Sequence, residues 1–343
     1  MNIKDVAALA SVSPATVSRY LNNEALVAPA TASKIRRVIE VTRYTSAEKT
    51  EALTLNVNPT IGVVIPSLLN PVFSEVVAGI QDRARHFGFS TIIVDTQYDS
   101  TQERQAIVDL IRQRVSGVLL TIASVENNEA LAILRDFNFP YCLLHNESTD
   151  GEPCVFVNNY QAGWQVAERL YQCGHRQLGM ITGRFGTSDR AIKRYQGFSD
   201  YLRSKGVTIS HLSEVDQSQL DPFEDTPLDV GNMNVPTAWF CSNDLLALKA
   251  INRLRRNGFA VPGDISVVGF DGMNLGQLIH PPLATVEIPH FLMGKVAVDI
   301  LFNAKAGSTI QTHIALDFKL QMTGTIAEAK RHECESDNII NET

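Results

Sequence analysis

Two sets of residues in this 343-residue chain have types and spacings suited to binding chemistry. The first is a short face near the amino terminus. Ala15, Ser18, Arg19 and Asn22 fall at i, i+3, i+4 and i+7, while Val17 and Leu21 share the opposite side. A helix with small polar groups and one arginine on its free face suits a DNA groove, where guanidinium groups read base edges and hydroxyls meet phosphates. The second set stands just after apolar runs. Asn70 and Phe73 follow the run at 61–65, Asn158 follows 155–157, Asn243 and Asp244 follow 239–241, and Asp271 follows 268–270. Arg194 lies on a helix preceded by Ser188 and Arg190. Amides, carboxylates and arginines around one aromatic suit a hydroxylated ligand, whose hydroxyls donate and accept while an apolar ring face covers Phe73. Plainer readings stay open: Asn158, Asn243 and Asp244 as helix caps, Asp271 as a turn residue before Gly272, Arg194 as partner of a structural carboxylate, Phe73 as core.

The elements that must position the first set are helices. Asn2 offers a cap with Asp5 three residues on, and Val6, Leu9 and Ala10 form one apolar stripe. A break at 11–13 leads to Ser13-Pro14, a capping hydroxyl before a proline suited to the first helical position. A third helix is predicted from Pro29 to about Arg43, with Ile35, Val38, Ile39 and Thr42 facing the first two. The result is a helix-turn-helix head over 1–44, followed by a mostly polar linker over 45–60 with at most a short helix. The second set needs a sheet. From Thr60 short continuous apolar runs alternate with helical stretches, including helices near 160–173, 190–204 and 243–257, as in parallel sheets buried on both faces. Two successive series of such runs predict an α/β body over 61–330 built of two doubly wound parallel-sheet lobes with a cleft between them. Ligands of such sheets bind beyond the carboxyl ends of strands. A polar tail occupies 331–343.

Asn2-Ile3-Lys4-Asp5-Val6-Ala7, Val12-Ser13, Ala15-Thr16-Val17-Ser18-Arg19 and Leu21-Asn22 resemble the amino-terminal signature of the LacI/GalR family of bacterial transcription regulators. Gly174-His175-Arg176, Arg194 with Gly197-Phe198, Asn243-Asp244-Leu245-Leu246-Ala247, the 261–271 segment and the 281–286 segment are similar to its effector-domain motifs, in order. The resemblance implies a periplasmic-binding-protein-like body that binds a small effector, a sugar or sugar acid, and a homodimer presenting two heads to a palindromic double-stranded DNA operator. It places base-reading positions at Pro14, Ala15 and Arg19, and phosphate or supporting contacts at Thr16, Ser18 and Asn22. It places effector contacts at Phe73, Arg194, Asp244 and Asp271, with help from Asn158 and Asn243. The chain departs from the family at the hinge. Ser46, Ala47, Thr50 and Glu51 replace the usual residues, Leu53 keeps the minor-groove wedge position, and Glu48 and Glu51 would face phosphates. Asn158 stands where the family often has aspartate; a neutral side chain beside Arg190 and Arg194 would tolerate a ligand carboxylate.

Charge is divided as such an assembly requires. Through Tyr44, Lys4, Arg19, Lys34, Arg36, Arg37 and Arg43 oppose Asp5, Glu24 and Glu40, a net of +3, so a chain of net −7 carries −10 elsewhere. A basic head tracks phosphates while an acidic body stays off the duplex. No apolar run of about 18 residues exists to span a bilayer, and Met1 leads into an amphipathic helix, so a cytoplasmic protein with no membrane partner is expected. Five cysteines, odd in number and without a C-x-x-C pair, predict buried reduced thiols and no zinc site. Neither a dinucleotide fingerprint nor a P-loop, zincin or G-x-S-x-G motif occurs, so no enzyme and no cofactor is expected. His175 reads as a helix-end residue near the carboxyl-terminal dipole. The competing reading is a solute-binding protein, or an effector sensor with little DNA binding.

Overall fold

The computed structural model describes residues 3–22, 24–42, 59–148, 150–216, 235–305 and 311–330, and the chain divides into two units, Met1–Asn58 and Pro59–Thr343. Asn2, the linker with Leu53, most of the Asp- and Pro-rich stretch before the 238–241 strand, and the tail lie outside the described residues.

In the first unit, α1 (Ile3–Leu9), α2 (Pro14–Asn22) and α3 (Pro29–Thr42) enclose a core of Val6, Ala7, Ala10, Val17 and Ile35, with Leu21, Val38 and Ile39 packed against it. The stripe on α1 differs from expectation at one position: Leu9 is 60% exposed and Ala7 is buried in its place. Both residues are apolar, but only position 7 lies beside Val6 and Ala10 on the inner face. Ser13 accepts from the Thr16 amide at 3.2 Å, the predicted cap. The turn places Ser11 at φ 55, the left-handed region.

The second unit contains two sheets with the same winding. In the first lobe β1 (Thr60–Ile65), β2 (Ser90–Asp95), β3 (Val118–Leu120), β4 (Tyr141–Leu144) and β5 (Cys154–Val157) run parallel in the order 2-1-3-4-5. Between them run α4 (Pro71–His86), α5 (Ser100–Arg112) and α6 (Glu129–Asp136). The chain crosses through α7 (Asn159–Gln172) to β6 (Leu178–Gly183), α8 (Asp189–Ser204), β7 (Ile209–Val215), β8 (Ala238–Cys241), α9 (Asp244–Arg256) and β9 (Ser266–Val268). These strands order 7-6-8-9, again second, first, third, fourth. The switch points of the two sheets are therefore equivalent, and side chains after both face a common cleft.

Three features differ from the sequence-based expectation. The run at 91–94 is an edge strand with Ile93 37% exposed, because nothing pairs beyond β2 among the described residues. The lobes are not consecutive in the chain. After β10 (Thr285–Glu287), α10 (His290–Lys305) returns to the first lobe, where β11 (His313–Leu316) pairs parallel with β5; β12 (Lys319–Gln321) then pairs antiparallel with β10. Finally, β7 and β12 carry no continuous apolar run, and β11 carries only the short run Ile314-Ala315-Leu316.

Each lobe carries a helix pair packed through glycine. A Cβ at Gly79 on α4 would stand 2.0 Å from the Phe291 carbonyl oxygen on α10, and one at Gly294 would stand 2.3 Å from that of Val76. In the second lobe a Cβ at Gly163 or Gly197 would stand 2.2 or 1.9 Å from the carbonyl oxygens of Arg194 and Tyr160. These approaches fix α8, and with it Arg194, against α7.

Candidate effector cleft and DNA-reading face

On α2, Pro14, Ala15, Ser18 and Arg19 are exposed, and Thr16 is half-buried with its hydroxyl bonded to Ser13 Oγ at 2.8 Å. The predicted reading face is therefore free to meet a partner, while Val17 is wholly buried. Arg36 on α3 pairs with Glu24, bracing the connection between α2 and α3.

In the second unit a small polar cleft opens between the lobes. Asn70, Val72, Phe73, Tyr98 and His145 line it from the first lobe; Ser188, Arg190, Ala191, Arg194, Ser242, Asn243 and Asp271 line it from the second. Seven of the nine residues expected at an effector site thus come together. The other two are corrected. Asn158 is exposed and caps α7 by accepting from the Gln161 amide at 2.8 Å. Its neighbour Asn159 is the buried one, and accepts from Arg194 Nε at 2.8 Å. Either asparagine could cap a helix here, and a shift of one residue about the helix start turns the other side chain inward. The argument that a neutral Asn158 tolerates a ligand carboxylate therefore falls.

Asp244 is fully buried behind the wall: Oδ2 accepts from the Met273 amide at 2.7 Å and Oδ1 from the Thr285 hydroxyl at 2.6 Å. It holds the segment that carries Asp271 rather than facing the cleft, and burial pushes its carboxyl up to about 7.

The sequence reading passed over Tyr98, His145 and Ser242, although each follows a strand end. The placement rule that found Asn243 would have found them. Tyr98 stands at φ 59 with its hydroxyl bonded to the Asn70 side chain, and burial keeps it protonated. His145 is edge-on to Phe73, ring centroids 5.8 Å apart. Its Nε2 lies 3.3 Å from Nδ1 of His290, whose Nε2 donates to the Asp271 carbonyl at 3.1 Å. That donation fixes the His290 tautomer, so His145 Nε2–H must donate, while His145 Nδ1 faces the Thr121 hydroxyl at 3.2 Å. Burial holds both rings neutral, His290 pushed down to about 3. The relay runs from the first lobe, through the first residue of α10, to Asp271 in the second. Asp271 itself sits at φ 116, a strained conformation held by its amide bond to Val286 and by Ile288 and His290 on its carbonyl.

Arg194 stacks on Phe270, its Cζ 3.5 Å from the ring centroid, and donates to the Ser242 carbonyl as well as to Asn159. Burial lowers it to about 10, opposed by Asp271 at 3.9 Å, so it stays charged near neutrality. Burial pushes Asp271 well above the usual carboxylate range, against the pull of Arg194. Across the mouth α8 is tied to the first lobe. Arg190 donates to the Ile122 carbonyl at 2.7 Å, the Asp189 amide to the Ala123 carbonyl at 2.8 Å, and Asn146 to both Asp189 oxygens. Lys193 adds an ion pair with Glu147 at 2.6 Å.

His175 is buried, bonded to Thr237 and to the Ala327 carbonyl, and lowered by burial. It is a neutral tether for the last described segment, which corrects its reading as a charge on a helix dipole. Cys142, Cys154, Cys173 and Cys241 are free thiols, and no metal-binding cluster or membrane-length apolar helix occurs among the described residues.

Comparison with known proteins bears on both units. A family model described as "Bacterial regulatory proteins, lacI family" matches residues 2–46, and one described as "Periplasmic binding proteins and sugar binding domain of LacI family" matches residues 58–321. The chain is 30% identical over 320 residues to the HTH-type transcriptional repressor CytR of Escherichia coli (strain K12), covering 90% of this chain and 91% of that protein. It is 30% identical over 305 residues to the HTH-type transcriptional repressor PurR of Haemophilus influenzae (strain PittEE), covering 87% and 89%. Its structure is similar to the lac repressor dimer bound to operator and the anti-inducer ONPF, with TM-score 0.78 and 26% identity, covering 95% of this chain and 99% of the other.

Proposed function

The chain belongs to the LacI family of bacterial regulatory proteins, and on that premise we propose that it is a cytoplasmic repressor whose affinity for operator DNA is set by a small effector bound between its lobes. The operator is palindromic and read by a homodimer, Pro14, Ala15 and Arg19 facing base edges and Thr16, Ser18 and Asn22 supporting them. The effector is a sugar or sugar acid seated on Phe73, Arg194 and Asp271, with Asn70, Ser188, Arg190 and Asn243 around it. One observation carries the reading above the rest: a buried, hydrogen-bonded cleft at paired strand ends accompanies a head whose reading face is exposed.

Coupling follows from the ties between lobes. A ligand that bridges Phe73 and Arg194 favours one interlobe angle, and in a dimer that angle bears on both heads. An ordinary coupling of about 1–3 kcal/mol changes operator affinity roughly 5- to 150-fold. The hinge contributes less than is usual in the family, because Glu48 and Glu51 oppose phosphates. A salt-dependent mobility shift on the DNA upstream of the gene tests the reading. Specific retardation that weakens steeply with salt is expected; no retardation at low salt would leave a sensor without DNA binding.

A further inference from the structure

Among the described residues, the strong hydrogen-bonding groups left over in the cleft are mostly donors. Three helices begin at its wall, and each capping side-chain oxygen already accepts from its own helix: Asn70 from the Val72 amide, Ser188 from Ala191 and Asn243 from Leu246. Ser188 still offers an O–H and Asn243 an NH₂, beside one further lone pair on each oxygen. Asn70 is bonded onward to Tyr98, whose buried phenol stays protonated and donates. Arg190 uses NH1 on Ile122 and Asp189, and Arg194 uses Nε and NH1 on Asn159 and Ser242, leaving further N–H groups on both guanidinium planes.

Acceptors are spent elsewhere. Asp189 takes Asn146 and Arg190, Asp244 takes Met273 and Thr285, and both nitrogens of His145 are engaged within the wall. Among the described residues Asp271 is the one carboxylate facing the cleft, 3.9 Å from Arg194. A neutral polyol brings one donor with every hydroxyl and, among the described residues, would find a single charged acceptor, Asp271, to receive them. A ligand with more acceptors than donors fits instead, and a buried donor left without one is costly.

We infer that the effector is a small monocarboxylic acid, its carboxylate held between Arg190 and Arg194 where the amino terminus of α8 meets the cleft, and its remaining oxygens on Ser188, Tyr98 and Asn243. One charge fits better than two, because Asp189 already neutralises Arg190 while Arg194 faces only Asp271. The oriented amides of three helix starts add to the same potential. Entry of the anion draws a proton onto Asp271, which burial has already raised, and the neutral carboxyl then donates too. The assignment rests on the cleft being the effector site, as proposed above.

The test is a thermal-stability and calorimetric screen of the full-length protein against matched pairs: gluconate with sorbitol, glucuronate with glucose, galacturonate with galactose, glycerate with glycerol, and glucose 6-phosphate as the dianion. At least one monocarboxylate stabilises the protein where its neutral partner does not. The Arg194→Gln and Arg190→Met variants, each referred to its own ligand-free state, bind it about 10- to 100-fold more weakly. Calorimetry in buffers of different ionisation enthalpy reads proton uptake, absent in Asp271→Asn. Stabilisation by a neutral sugar alone, abolished by Phe73→Ala, overturns the acid assignment and leaves the cleft as effector site. Preference for the phosphate overturns the single charge. Stabilisation that survives Phe73→Ala and both arginine variants overturns the cleft itself, and no stabilisation by any member counts against the acid.

Discussion

The head and the body bind by opposite economies of exposure. On α2 the reading residues stand in solvent with few internal obligations: Ala15, Ser18 and Arg19 are exposed, and Arg19 makes no ion pair among the described residues. In the cleft, Arg190 is buried and Arg194 nearly so, and both are already bonded, as are the half-buried Asn70 and Ser188 and the buried Asn243 through their caps. Specificity in the head resides in what each side chain is. In the body it resides in which atoms remain after folding has used the rest. Substitutions on the head should therefore damage binding without damaging the fold, and those in the body should do both.

The largest effect expected is on DNA. Arg19→Ala lowers operator affinity by about 1–3 kcal/mol, some 5- to 150-fold, with an unchanged melting temperature. Leu53→Ala is expected to cost clearly less than that in the same mobility-shift titration, because the linker sequence sets two carboxylates, Glu48 and Glu51, against phosphate binding. Equal losses would return the hinge to full weight.

Within the body, Gly197→Ala forces a Cβ to 1.9 Å from the Tyr160 carbonyl oxygen and costs about 1–3 kcal/mol in urea unfolding. Unlike Arg19→Ala it should also weaken effector binding, since α8 carries Arg194. A stable Gly197→Ala protein with intact ligand affinity would separate packing from site and break the contrast.

A pH series sharpens it further. His290 titrates at about 3 when folded against an ordinary value near 6.5. The unfolded chain therefore binds the extra proton between those values, and stability from this group is lost as pH falls through that window. Asp244, raised to about 7 from 3.8, works the other way: its folded form holds the proton, so its contribution declines as pH rises from 3.8 to 7. The stability difference between the wild type and His290→Gln should grow by up to about 1.4 kcal/mol per pH unit from pH 3 to 6.5 and then level off. A difference independent of pH would mean that His290 is protonated in the fold. The smallest effect belongs to the head: Ser11→Gly relieves a left-handed serine at φ 55 and stabilises the first unit by no more than about 1 kcal/mol.

Much of this division was legible in the sequence. Helical spacing picked out the exposed α2 face, and the rule that ligands sit past strand ends picked out Asn70, Phe73, Asn243 and Asp271, which line the cleft. Tyr98, His145 and Ser242 obey the same rule and were missed only because their strand ends were not followed through. Asn158 and Asn159 were separable only in three dimensions, since both fit a cap and one residue decides which turns inward. Asp244 illustrates the same limit, because a carboxylate next to a ligand and one bonded to a wall loop have the same sequence context. The return of β11 to the first lobe rests on the pairing of His313 with Cys154, 159 residues apart, and its three-residue apolar run is only partly buried. Family resemblance supplied the roles of residues, but the surplus of donors could be counted only once each cap and carbonyl had its partner.

The central claim, that the cleft governs the head, is tested most directly by titrating full-length protein onto labelled upstream DNA, with and without the acid found by the paired screen, in the wild type and in Arg194→Gln. The account predicts that the acid shifts wild-type operator affinity roughly 5- to 150-fold, that Arg194→Gln removes the shift, and that ligand-free affinity is the same in both proteins. An acid that binds in the cleft yet leaves operator affinity unchanged, or a shift that persists in Arg194→Gln, would contradict it.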